Sequence, residues 1–109
     1  MGSNFKINKQ ADTTKTTEQG RIEISPKRLT EVFGQPSVSD GYKTSGQYVF
    51  TSESGDVFTL YDWKSTSLYD DEMVSPEEFW DEIGQVDLEI GATSKNGVQE
   101  FKSFLEKSV

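Results

Sequence analysis

The sequence predicts an α+β fold, a mainly antiparallel sheet with short helices on one face, in the order β-α-β-β-α-β-α. Three observations lead there. Four segments read as strands, two of which, 21–24 and 86–90, alternate apolar and polar residues, two Ser-Pro pairs open short helical stretches, and Val98, Phe101, Phe104 and Leu105 recur at helical spacing near the C-terminus.

Residues 4–19 mix Lys, Gln, Asp and Thr without periodicity, although Phe5 and Ile7 have the alternation for a brief strand-like contact. Residues 1–19 are therefore expected to be a flexible N-terminal arm, and residues 20–109 a single α+β domain. Arg21-Ile22-Glu23-Ile24 alternates as a short strand. Ser25-Pro26 then supplies an N-cap hydroxyl and a proline whose fixed φ suits the first helical position. Leu29, Val32 and Phe33 share one helical face, Gly34 gives a left-handed stop and Pro36 prevents resumption, so a helix is predicted over residues 26–33.

Residues 47–52 and 57–63 read as two strands joined by the glycine-containing loop Glu53-Ser54-Gly55-Asp56. That hairpin brings Tyr48, Phe50, Phe58 and Leu60 within cross-strand reach. Ser75-Pro76-Glu77-Glu78 has capping-box spacing, with acids at the positive end of the helix dipole, and Phe79 and Trp80 anchor the short helix that follows. Val86, Leu88 and Ile90 alternate against Asp87 and Glu89, a strand with one wet face. A last amphipathic helix is predicted over residues 95–107. The order matches a ferredoxin-like unit plus a final helix, but both internal helices are short for crossovers between parallel strands.

Composition narrows the chemistry. The chain has 109 residues, room for one domain, and only 32% are apolar, but aromatics reach 12% and concentrate between Phe33 and Trp80. With neither Cys nor His, it excludes disulfides, thiolate or imidazole metal sites and any Ser-His or Cys-His nucleophile pair. A binding protein without catalytic residues or cofactor is expected, not an enzyme. No apolar run approaches the roughly 18 residues of a membrane span, which points to a cytoplasmic protein. The net charge is −8, and residues 70–89 hold nine acids and no base. Such a surface repels phosphate backbones, so long nucleic acids are not expected partners. As a functional feature, the run suits a nucleic-acid mimic that blocks a host enzyme's basic groove; as a structural one, it is a solubilising face.

Lys43 and Lys64 are the only bases between Arg28 and Lys95. Each adjoins an aromatic and a hydroxyl-rich stretch, in Tyr42-Lys43-Thr44-Ser45 and Trp63-Lys64-Ser65-Thr66-Ser67. Ammonium and hydroxyl groups can hold a phosphate while Tyr or Trp stacks on a base, so Tyr42, Lys43, Trp63, Lys64, Ser65 and Thr66 form a candidate site for a small nucleotide. The structural alternative is packing aromatics with solvated lysines. Asp62-Trp63-Lys64 also has an acid-x-lysine spacing that, with Asp40, would suit a Mg²⁺ nuclease, although no further acid is placed to complete that site.

The runs Phe33-Gly34-Gln35-Pro36, Asp40-Gly41-Tyr42-Lys43, Gly46-Gln47-Tyr48-Val49-Phe50 and Gly55-Asp56-Val57-Phe58-Thr59-Leu60-Tyr61-Asp62-Trp63-Lys64 resemble a group of small proteins encoded by tailed bacteriophages. The resemblance covers residues 29–69. It implies a viral sponge of the anti-CBASS type, an immune-evasion protein that binds a cyclic nucleotide messenger without cleaving it. It further implies a homo-oligomer with ligand pockets between subunits, acting in the cytoplasm of an infected bacterium. No ligand-contact residue is carried over from the resemblance, and the candidate site rests on the chemistry above.

Overall fold

The computed structural model describes residues 5–37, 46–62, 66 and 70–109. Among these, the strands are β1 (Phe5–Ile7), β2 (Thr17–Ile24), β3 (Gln47–Ser52), β4 (Val57–Tyr61) and β5 (Val86–Ala92). The helices are α1 (Pro26–Phe33), α2 (Pro76–Trp80) and α3 (Val98–Ser108). The strands form one sheet in the order β1-β3-β4-β5-β2, with every neighbouring pair antiparallel. The α+β class and antiparallel sheet agree with the sequence.

The register sorts side chains onto two faces. Tyr48 opposes Leu60 and Phe50 opposes Phe58 across β3 and β4, the cross-strand set expected of the hairpin. Leu60 opposes Ile90, and Ile22 opposes Leu88, so the same face continues through β5 and β2. Leu29, Phe79, Trp80, Val98, Phe101 and Leu105 join these strand residues in one buried cluster. All three helices therefore cover this face. Phe101 lies at its centre, stacked on Phe58 at 4.9 Å and meeting Phe50 edge-on at 5.2 Å. The opposite face carries Lys6, Arg21, Val49, Thr59, Tyr61 and Glu89.

Helix ends follow their local chemistry. Ser25 accepts the Arg28 N–H at 3.3 Å, and Ser75 accepts the Glu78 N–H at 3.1 Å. Gly34, at φ 84°, closes α1, and the Tyr48 hydroxyl donates to its carbonyl at 2.7 Å. Gly97, at φ 86°, opens α3, so that helix begins at Val98, past the predicted start at residue 95.

Some expectations change. The boundary at residue 19 does not coincide with the sheet's boundary: β1 pairs with β3, and β2 begins at Thr17. Phe5 is 7% exposed, packed 5.2–5.3 Å from Phe58, Phe101 and Phe104. The burial of that one ring draws in a segment whose average composition is polar. The ferredoxin-like arrangement is absent, because β5 pairs directly with β4 and β2 stands at the edge. With α1 of eight residues and α2 of five, neither connection builds a parallel crossover. Val32, expected on the apolar face of α1, is 43% exposed, leaving Leu29 and Phe33 to dock the helix.

Candidate functional site

The expected nucleotide site falls where β3 begins and β4 ends. Tyr42, Lys43, Trp63, Lys64 and Ser65 lie outside the described residues, as does Asp40. What the structure describes is their common root. Gln47 opposes Tyr61 in the last register pair of the hairpin, and one residue beyond, the Gly46 N–H donates to Asp62 Oδ1 at 3.0 Å. The chain following Tyr42-Lys43 therefore enters the sheet beside the point where the chain leading to Trp63-Lys64 leaves it. Thr66, the one predicted contact that is described, is 1% exposed, and its carbonyl accepts the Asp70 N–H at 3.3 Å. Its placement is interior, so Thr66 is poorly placed to meet ligand from solvent.

Asp62 is fully buried, and its carboxylate is committed to the Gly46 amide. A carboxylate used in this way ties two strand ends together and satisfies a backbone donor that the ladder leaves over. It is therefore neither a surface acid nor an open metal ligand. Among the described residues, no group of three or more His, Cys, Asp or Glu side chains could hold a metal ion.

The Asp62 root is braced from the helical side. A side chain on Gly46 would come within 2.9 Å of Pro36 Cγ and 3.4 Å of Trp80 Cε2, so the absent Cβ permits their close approach. Trp80 also lines a groove of about 330 Å³ between α1 and α2, with Thr30, Gln35, Pro76, Glu77 and Asp81. The groove and the strand ends thus share one indole.

A second concavity, of about 190 Å³, lies on the sheet face away from the helices and is lined by Glu18, Arg21, Tyr61 and Glu89. Arg21 Nε meets Glu89 Oε1 at 3.0 Å. Glu89 was expected on a wet strand face, yet it is 9% exposed, because Arg21, Tyr61 and Glu18 crowd around it. Burial, chiefly, pushes its carboxyl up to about 7; the hydrogen bond with Glu18 and the Glu18 charge add to this, Arg21 opposes it and Asp87 adds slightly. Burial likewise raises the Tyr61 phenol, with the charges of Glu89 and Glu18 adding to it. These four residues come from three strands and have no motif in common. The one sequence signal was Gly91 inside a strand, which marks a close approach: its Cβ would fall 2.5 Å from Thr59 Oγ1 and 3.6 Å from Tyr61 Cε1.

No protein-family model matches the chain, and no curated protein matches it. Among the described residues, no helix is long and apolar enough to cross a membrane.

Proposed function

We propose that this protein binds and sequesters a cyclic oligonucleotide second messenger without cleaving it, and so blocks host antiviral signalling during phage infection. The observation that carries the proposal is the Gly46–Asp62 bond of 3.0 Å, which joins the roots of the two segments bearing the lysine, aromatic and hydroxyl groups. Lys43 precedes that bond by three residues and Lys64 follows it by two, so two cations in an otherwise acidic stretch are tethered to one point. Two ammonium groups so tethered suit the phosphates of a compact anion, with Tyr42 or Trp63 to stack on a base and Ser65 to add a hydrogen bond. The acidic remainder of the surface disfavours long nucleic acids. The protein acts as a homo-oligomer in the host cytoplasm, where neighbouring subunits enclose a ligand that one small domain cannot surround.

The test is thermal melting against a panel of cyclic di- and trinucleotides. Ligand at ~100 times its dissociation constant should add about 2.7 kcal/mol of stability, and should be recovered intact after denaturation. Replacing Lys43 and Lys64 together with Ala should weaken capture at least ~tenfold while the melting temperature of the free protein holds. No shift with any of the ligands sinks the proposal.

A second reading is an acidic inhibitor that docks on a host enzyme's basic groove through residues 70–89. It is favoured by the exposure of Asp70, Asp71, Glu72, Glu77, Glu78, Asp81 and Glu82 together with apolar Met73, Val74 and Ile83, the last 70% exposed. This reading predicts salt-sensitive association with a basic protein and no small-molecule ligand.

A further inference from the structure

The cleft on the sheet face opposite the helices contains a carboxylate oxygen that lacks a donor. Arg21 occupies Glu89 Oε1 at 3.0 Å, whereas Glu89 Oε2 is buried and has no hydrogen-bond partner among the described residues. Once the proton it shares with Glu18 is lost, this buried acceptor has given up its hydration with nothing in return, and native proteins rarely keep one. Glu18 places a second carboxyl against it, so the cleft holds two acidic groups and one guanidinium.

We infer that this cleft is a binding site for a primary ammonium group, held by Glu89 Oε2 and the Glu18 carboxylate with Tyr61 as its third wall. The charge balance excludes an anion. A divalent cation such as Ca²⁺ takes six or more oxygens, but the cleft offers two carboxylates, one already paired with a guanidinium at 3.0 Å. An ammonium brings three donors and one positive charge, matching two carboxylates beside one guanidinium. At about 190 Å³ the cleft exceeds the roughly 30 Å³ share of one water several-fold, so it admits the headgroup together with its first methylenes.

The groups around Glu89 supply an internal competitor. They are Glu18 and Arg21 from β2, Tyr61 from β4 and Asp87 from β5; burial, with Glu18 and Asp87 adding to it and Arg21 opposing, leaves the Glu89 carboxyl protonated up to about pH 7. In that form the proton bridges to Glu18, and above it Oε2 needs another donor. The ammonium and the proton therefore exclude one another. A lysine side chain on a protein partner and a free polyamine present the same headgroup.

The experiment is an NMR titration of the full chain at pH 8 with putrescine and, separately, with Nα-acetyl-lysine methylamide. Saturable shifts at Glu18, Tyr61 and Glu89 are expected with at least one of them. Saturation by the lysine amide assigns a protein lysine, and saturation by putrescine alone assigns a polyamine. Glu89→Gln should weaken binding at least ~tenfold, whereas Glu106→Gln, an equal charge change on the exposed side of α3, should leave it unaltered. Should the Glu89 variant fail to fold, the wild-type pH dependence still decides, with affinity expected to fall roughly tenfold from pH 8 to pH 6 as the proton takes the site. The inference is overturned if neither compound gives saturable shifts at Glu89, if both variants weaken binding equally, or if affinity is flat across that pH range.

Discussion

Asp62 and Glu89 show how burial separates two carboxylates that look alike in sequence. Asp62 is fully buried and accepts the Gly46 N–H at 3.0 Å, so it acts as a clasp between strand ends. Asp62→Ala leaves that amide without its acceptor and should cost ~1–3 kcal/mol, read as a lower urea midpoint at unchanged slope, while Asp62→Asn, which keeps an oxygen, should cost less. Equal losses for the two variants would show that the bond contributes nothing. Glu89 behaves differently because its carboxyl is raised from 4.5 to about 7. The native state then binds more protons than the unfolded state between these values, so this group's contribution is complete below pH 4.5 and is lost as pH rises through 7. Allowing for solvent at the cleft mouth, the loss should be on the order of 1–2 kcal/mol. Glu89→Gln should flatten that slope in denaturation curves taken from pH 4 to pH 8, and an unchanged slope would assign the pH dependence elsewhere.

At the scale of elements, the chain is assembled from local signals plus one borrowed strand. Ser-Pro starts, Gly34 and the Gly55 turn delimit α1, α2 and the β3–β4 hairpin without help from the rest of the molecule. β1 is different, since its three residues have little strand signal and are held by pairing with β3 and by the Phe5 ring. Phe5→Ala should therefore cost ~3–5 kcal/mol, as for other buried aromatic truncations, and chemical denaturation would detect it readily. A change below ~0.5 kcal/mol would mean that the segment is detached in solution. β1 also pairs along the outer side of β3, which would otherwise present open backbone groups at a sheet edge. The other edge, β2, carries Glu18, Arg21 and Glu23, charges that discourage edge-to-edge pairing.

At the scale of the molecule, the sheet closes through its most distant partners. Thr17 opposes Ala92 and Ile24 opposes Val86, so β2 reaches its place only after β5 exists. This long-range pairing must occur in a chain of net charge −8, whose exposed acids repel one another. Raising salt from 0.01 M to 0.15 M shortens the screening length from ~30 Å to ~8 Å and should stabilise the fold by on the order of 1 kcal/mol. A melting temperature that falls with salt would instead give the Arg21–Glu89 and Lys27–Asp81 pairs, both at 2.9–3.0 Å, the larger share.

The same scales divide what could be read from residues alone. Period-two alternation, Ser-Pro caps and glycine turns act within a few residues, so they determined the hairpin and its Tyr48, Phe50, Phe58, Leu60 pairing, the span of α1 and the α+β class. The proposed nucleotide residues rest on two lysine-aromatic-hydroxyl clusters in the sequence, and the structure adds only that the segments bearing them share a root at Gly46 and Asp62. Local patterns cannot say which strand becomes the neighbour of another, because that choice depends on the cost of each connection and on shared core surface. Only the tertiary structure therefore decided that β5 lies between β4 and β2, that Phe5 belongs to the core and that Asp62 is a buried clasp. It alone also brought Glu18, Arg21, Tyr61 and Glu89 together, since a cleft between three strands exists only once their register is set.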